Sequence, residues 1–157
     1  MAITLAKSLR SDPLSRLPLR SPYAASPDTS VEDVVRQMSE RRTSYALLEE
    51  GGRLVGIFTE RDFVNRVVAA GREVSGPVRD VMTPDPKTLA GSDNVQKAVE
   101  LMCAGGYRHV PVLGDDGRAV GVLSVRDVIH YLVEYFPAKV YNLPPTPDQT
   151  QPAREGA

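Results

Sequence analysis

The chain has 157 residues, with 19 basic and 20 acidic side chains and a formal net charge of -1. That balance gives no global attraction to nucleic acid or to an anionic membrane, and a lone cysteine, Cys103, excludes an intrachain disulfide framework. At 41% hydrophobic and 25% charged residues the composition is that of a soluble globular protein, long enough for one ordinary domain or two very small ones.

Met1 to Arg10 lacks an apolar run suited to a signal peptide, and no later segment approaches a membrane span. The expectation is a cytoplasmic protein with no membrane partner. Residues 1–17 read as a lead-in, irregular or briefly helical, whose leucines pack on the body. A short strand is expected near Tyr23–Ala25. Thr29-Ser30-Val31-Glu32 then starts a helix, with Thr29 as cap and Glu32 bonding back. Val31, Val34, Val35 and Met38 share one face. Tyr45–Leu48 and Leu54–Phe58, joined through Gly51-Gly52, read as a hairpin. A further helix follows, with Phe63, Val64, Val67 and Val68 on one face, and Gly71 ends it as a left-handed cap.

The order then repeats. A short strand is expected near Thr88-Leu89, Asp93-Asn94-Val95-Gln96 resembles a cap, and the stripe Val95, Ala98, Val99, Met102 falls 64 residues after the first. Cys103, next to that stripe, is expected to be small and mostly buried. Val110–Leu113 opens a second hairpin. Its turn at Asp115-Asp116-Gly117 is one residue longer, so Arg118, Val120, Gly121, Arg126 and Asp127 match Arg53, Val55, Gly56, Arg61 and Asp62 at an offset of 65. Val128, Ile129, Leu132 and Val133 repeat the last apolar face, and Phe136-Pro137 ends it. His130 in this helix is expected to make a packing or interface contact. Units of ~60 residues bury only ~60% of their surface alone, so the two should pack together about a pseudo-twofold axis. The tail from Leu143, rich in Pro, Gln and Thr, reads as disordered, with Val140–Leu143 able to dock.

The chemistry gathers in a duplicated heptad, Gly56-Ile57-Phe58-Thr59-Glu60-Arg61-Asp62 and Gly121-Val122-Leu123-Ser124-Val125-Arg126-Asp127. Gly56 and Gly121 let a ligand or a neighbouring backbone come close. Thr59 and Ser124 stand where a helix begins, and a hydroxyl beside free N–H groups suits an anion. Asp62 and Asp127 can accept from a pair of ribose hydroxyls. Either copy alone also fits a plain helix cap, although capping requires neither the Gly nor Asp in place of Glu or Gln. Arg108 and His109, at the mouth of the second hairpin, can neutralise phosphate or be ordinary surface charge; their counterpart is Thr43-Ser44-Tyr45. Two histidines and one cysteine lack metal-ligand spacing, and no nucleophile or phosphate-loop motif is present. No enzyme activity is expected.

With the heptads, hairpins and stripes, and with Val78-Arg79-Asp80-Val81-Met82-Thr83 between the units, the chain resembles a tandem pair of cystathionine beta-synthase (CBS) domains, a Bateman module. The resemblance covers roughly residues 18–136. It implies an α+β fold with small sheets, built as two β-α-β-β-α repeats at 18–77 and 78–137 about a pseudo-twofold axis, with a tail at 138–157. It implies a homodimer and a regulatory role with no obligatory cofactor, in which an adenine nucleotide, S-adenosylmethionine or an NAD-type compound binds between the repeats. Carried over, Asp62 and Asp127 bind ribose, Thr59 and Ser124 contact phosphate or ribose, Arg108 and His109 lie near phosphate, and Ala24 and Thr88 border the adenine. Arg126 and the two glycines complete the set. The first unit departs from the pattern, with Leu47 opposite Pro111, no Arg-His pair, and Glu60 opposite Val125. The second site is therefore expected to be the better anion site. The leading expectation is a stand-alone sensor that modulates a separate effector protein. The alternative is a protein-interaction or dimerisation module with a vestigial cleft. Nucleic-acid binding is not expected.

Overall fold

A computed structural model describes residues 5–136. Pro137 of the expected helix end and the readings of the C-terminal tail lie outside the described residues. The described chain runs α1 (Leu5–Ser11), a 3-10 turn (Leu14–Arg16), β1 (Ala24–Ala25), α2 (Val31–Glu40), β2 (Tyr45–Glu50) and β3 (Arg53–Thr59). A short helix α3 (Glu60–Asp62) continues as π-helical turns (Phe63–Val68). A second 3-10 turn (Val78–Asp80), β4 (Thr83–Pro84), β5 (Leu89–Ala90), α4 (Val95–Gly105), β6 (His109–Leu113), β7 (Ala119–Ser124) and α5 (Val125–Tyr135) follow. No described helix is long and apolar enough to cross a membrane.

The periodicities act as expected. Val31, Val34 and Met38 on α2 are buried, as are Val95, Ala98 and Met102 on α4. Gly51 and Gly52 both have positive φ, 59° and 75°, which the two-residue connection from β2 to β3 requires. The first sheet has the order β1-β2-β3-β4 and the second β5-β6-β7. The two short strands, β1 and β5, pair in parallel with the first strand of their own hairpin.

Each entering segment docks on the other unit. The segment that opens the second unit packs Val78 and Val81 into the first core, beside Phe58 and Val67, and β4 pairs with β3 at Gly56–Pro84. The segment before the first unit packs Leu14 and Leu17 into the second core, beside Leu123 and Tyr131, and Arg20 bridges Val122 on β7. Leu14 and Val78 are both fully buried. Bridges Ser30–Pro77 and Pro13–Asn94 repeat the exchange at an offset of 64 residues. The lead-in is thus a short helix and turn anchored to the body. Arg10 Nε donates to Gln96 at 3.1 Å, and the Tyr131 hydroxyl donates to Asp12 at 2.6 Å. Tyr45, Leu47, Ile57 and Val122 form a third buried cluster on the seam between the units.

Three expectations are corrected. Ser30 rather than Thr29 caps α2, accepting from the Asp33 amide at 3.2 Å. The start is displaced because the Thr29 carbonyl is taken by the Val78 amide and the Val31 amide donates to Gly76. Asn94 caps α4 at the matching position. Cys103 is exposed, since it lies one step, about 100°, beyond the buried Met102 on α4. The last helix of each unit buries only one of its two expected apolar rows. Val67 and Val128 face in, whereas Val64 and Ile129 are 53% and 52% exposed and Val68 also faces solvent. His130, on the same outer side as Ile129, is exposed and takes no part in the core.

Candidate ligand cleft

Both heptads end at one cleft of about 1060 Å³ between the units. β3 and β7 deliver Thr59 and Ser124 as helix caps in extended backbone, and each cap is a complete reciprocal box. Asp62 Oδ2 accepts from the Thr59 amide at 2.9 Å and its hydroxyl at 2.7 Å. Asp127 Oδ2 accepts from the Ser124 amide at 2.8 Å and its hydroxyl at 2.6 Å. The capping reading of the heptad is therefore correct for both copies, and it uses one carboxylate oxygen of each buried Asp.

The other oxygen separates the two halves. Asp62 Oδ1 accepts from the Thr83 hydroxyl at 3.0 Å and lies 3.5 Å from Arg66 Nε. Asp127 Oδ1 accepts no hydrogen bond among the described residues and has only Arg20 Nε at 3.9 Å. Among those residues no buried side-chain polar atom lacks a partner, so this oxygen keeps some contact with solvent although the Asp127 side chain is only 6% exposed. The difference follows from the exchanged segments. Arg20 bridges Val122 as Thr83 pairs with Ile57, and Leu19 fills the gap at Gly121 as Met82 fills that at Gly56, so a guanidinium stands where the first half has the Thr83 hydroxyl.

Near the pseudo-twofold axis Tyr45 meets its counterpart His109, with ring centroids 5.1 Å apart, and Ser44 Oγ lies 3.1 Å from His109 Nε2. Burial pushes the His109 imidazole below its ordinary value. Asp127 opposes the shift, and Arg108, Arg126 and Arg20 add to it. His109 is thus a neutral ring at neutral pH, and of the expected basic pair only Arg108 carries charge. Arg61 Nη1 donates to the Gly106 carbonyl at 3.3 Å, tying the units together across the cleft.

Thr59, Asp62, Ser124, Arg108, His109 and Arg126 are brought together on the cleft or its wall; Asp127 lies just beneath, against Arg20. Four other expected residues lie elsewhere. A Cβ on Gly56 would come 2.3 Å from Met82 Sδ, and one on Gly121 would come 2.7 Å from Leu19 Cβ. The glycines admit the exchanged segments, a close approach of neighbouring chain rather than of a ligand. Ala24 is in β1, paired with Leu47, and Thr88 lines a separate hollow beside the hairpin turns. Arg20 and Thr83 were not anticipated. The available signal was the 64-residue register carried back before Tyr23, where Pro13, Leu14, Leu17 and Pro22 fall opposite Pro77, Val78, Val81 and Pro86. Among the described residues no His, Cys, Asp and Glu cluster could hold a metal ion.

Two α/β units, related by an approximate twofold and sharing one cleft, define a tandem-repeat module. The CBS domain model matches residues 14–69 and 78–134, and the chain belongs to the CBS domain family as a tandem pair. It is 30% identical over 122 residues to a 17.7 kDa protein from the bps2 3′ region of Acidianus ambivalens, covering 77% of this chain and 73% of that protein. It is 33% identical over 112 residues to the mitochondrial CBS domain-containing protein CBSX3 of Arabidopsis thaliana, covering 68% of this chain but 54% of that one. Among solved structures, a CBS domain protein of Pyrobaculum aerophilum complexed with AMP superposes with a TM-score of 0.69 at 29% identity, covering 78% of this chain and 99% of that one.

Proposed function

We propose that this chain is a regulatory module that binds an adenosyl ligand in the cleft between its repeats and modulates a separate effector protein in the cytoplasm, without catalysis of its own. The observation that carries the reading is the open Oδ1 of Asp127, beside a Ser124 cap and three arginines. A buried carboxylate with one oxygen committed to a cap and the other free can accept from a ribose hydroxyl. Arg108 and Arg126 supply the charge a phosphate needs, and His109 offers a neutral ring. The AMP complex of the Pyrobaculum relative supports an adenosyl ligand. Asp62 and Thr59 form the weaker half, because Thr83 and Arg66 already occupy Asp62 Oδ1. That occupancy favours, for the first half alone, the reading of a vestigial site.

The outward apolar residues of the last helix of each unit, Val64, Val68 and Ile129, support a homodimer formed on these faces, since exposed large apolar side chains suit an interaction surface. Isothermal calorimetry and thermal unfolding with AMP, ATP, S-adenosylmethionine and NADH test the ligand. A compound present at ~100 times its Kd stabilises by ~2.7 kcal/mol. No response to any of the four overturns the binding reading and leaves the interaction-module alternative.

A further inference from the structure

We propose that Arg20, brought in by the segment that precedes β1, sets the charge of ligand the second half of the cleft accepts, selecting adenosyl compounds that carry a phosphate over uncharged or cationic ones. The inference rests on the nucleotide-binding reading above. The Arg20 backbone is fixed. Its carbonyl accepts from the Val122 amide at 3.4 Å, and Leu19 beside it fills the space that Gly121 leaves open. Its head group is movable, because the side chain is 57% exposed and its one ionic neighbour among the described residues, Asp127 Oδ1, lies at 3.9 Å, beyond hydrogen-bond length.

Arg20 therefore balances the charge of Asp127 without saturating its open oxygen. A ribose hydroxyl can donate to Oδ1 while the guanidinium turns toward a phosphate, which its planar fork binds in bidentate fashion. Arg108 and Arg126 line the same cleft. The Val125 amide donates to the Arg108 carbonyl at 3.0 Å, holding the mouth of β6 against the start of α5. Three arginines against one buried carboxylate leave this half positive, a poor environment for a sulfonium. The first half lacks the device. Thr83, paired with Ile57 as Arg20 is with Val122, stands at the position of Arg20, Ser44 at that of Arg108, and Glu60 at that of Val125.

Calorimetry on the full chain with AMP, adenosine and S-adenosylmethionine tests this, using wild type, Arg20→Gln and Arg20→Lys. Arg20→Gln is expected to weaken AMP about tenfold, the loss of one charge-assisted contact. Adenosine should be unchanged and S-adenosylmethionine no weaker. Arg20→Lys should keep part of the AMP affinity, which also guards against a folding defect in the Gln variant. If AMP binds wild type but is unaffected by Arg20→Gln, or if AMP and adenosine weaken equally, the role of Arg20 is overturned while the binding function stands. If wild type binds none of the three, both fall.

Discussion

In the first half of the cleft Asp62 gives Oδ2 to its own helix cap and Oδ1 to Thr83 and Arg66. In the second half Asp127 gives Oδ2 to the same kind of cap and, among the described residues, leaves Oδ1 facing only Arg20. The heptads that build the two halves share Gly, hydroxyl and Asp at the same spacing. What distinguishes the halves is the segment that each receives from before the opposite unit. A motif repeated in a sequence therefore fixes a backbone geometry twice, and the exchanged segment decides what each copy is free to bind. Where Thr83 closes the first Asp into a structural network, Arg20 stands in its place and supplies charge without closing the second.

The comparison can be broken most forcefully at the exchanged segments themselves. Leu14→Ala empties a fully buried site in the second core and is expected to cost about 2–5 kcal/mol in chemical denaturation. A loss below ~1 kcal/mol would mean that the lead-in is dispensable and the exchange one-sided.

The glycines come next, at about 1–3 kcal/mol each from overpacking. At Gly121 the new methyl meets Leu19 Cβ, which no truncation to Ala removes, whereas at Gly56 it meets the end of the flexible Met82 side chain. Gly121→Ala should therefore destabilise more than Gly56→Ala, and Met82→Ala should rescue only the latter. Equal losses with no rescue would remove the packing explanation.

At the carboxylates the two halves should rank in opposite orders by two measurements. Asp62→Asn should lower thermal stability more than Asp127→Asn, by roughly 1 kcal/mol for the extra hydrogen bond to Thr83. Asp127→Asn should lower AMP affinity more than Asp62→Asn. The same order in both assays would merge the two halves into one kind of site.

The smallest effect is the pH dependence at His109. Its folded value lies below the ordinary 6.5, so below that pH the unfolded chain binds the proton that the folded chain refuses. Stability is then full above about 6.5 and declines as the solution is acidified through the window beneath it. His109→Gln should flatten that part of the profile measured by chemical denaturation. An unchanged slope would assign the acid sensitivity to other groups.

Much of the architecture was legible from periodicity. The stripes at Val31–Met38 and Val95–Met102, the two hairpins and the doubled heptad each report a local rule, the helical or strand period and a turn's need for glycine, and these survive folding because neighbours in sequence enforce them. The α2 cap was misread by one residue because the Thr29 carbonyl is claimed by Val78, nearly fifty positions away in sequence. The outward placement of Val64 and Ile129 was equally hidden, because a sheet covers only one side of a helix and an apolar pattern does not say which row it covers.

Local patterning is enough to specify two copies of one unit and to mark Asp62 and Asp127 as paired candidates, because a repeat writes its spacing twice. That, among the described residues, Oδ1 of Asp62 is bonded and Oδ1 of Asp127 is not emerges from long-range packing. That outcome depends on Thr83 and Arg20, whose positions come from segments crossing between units, and no local pattern in the heptads encodes which partner a distant segment will bring.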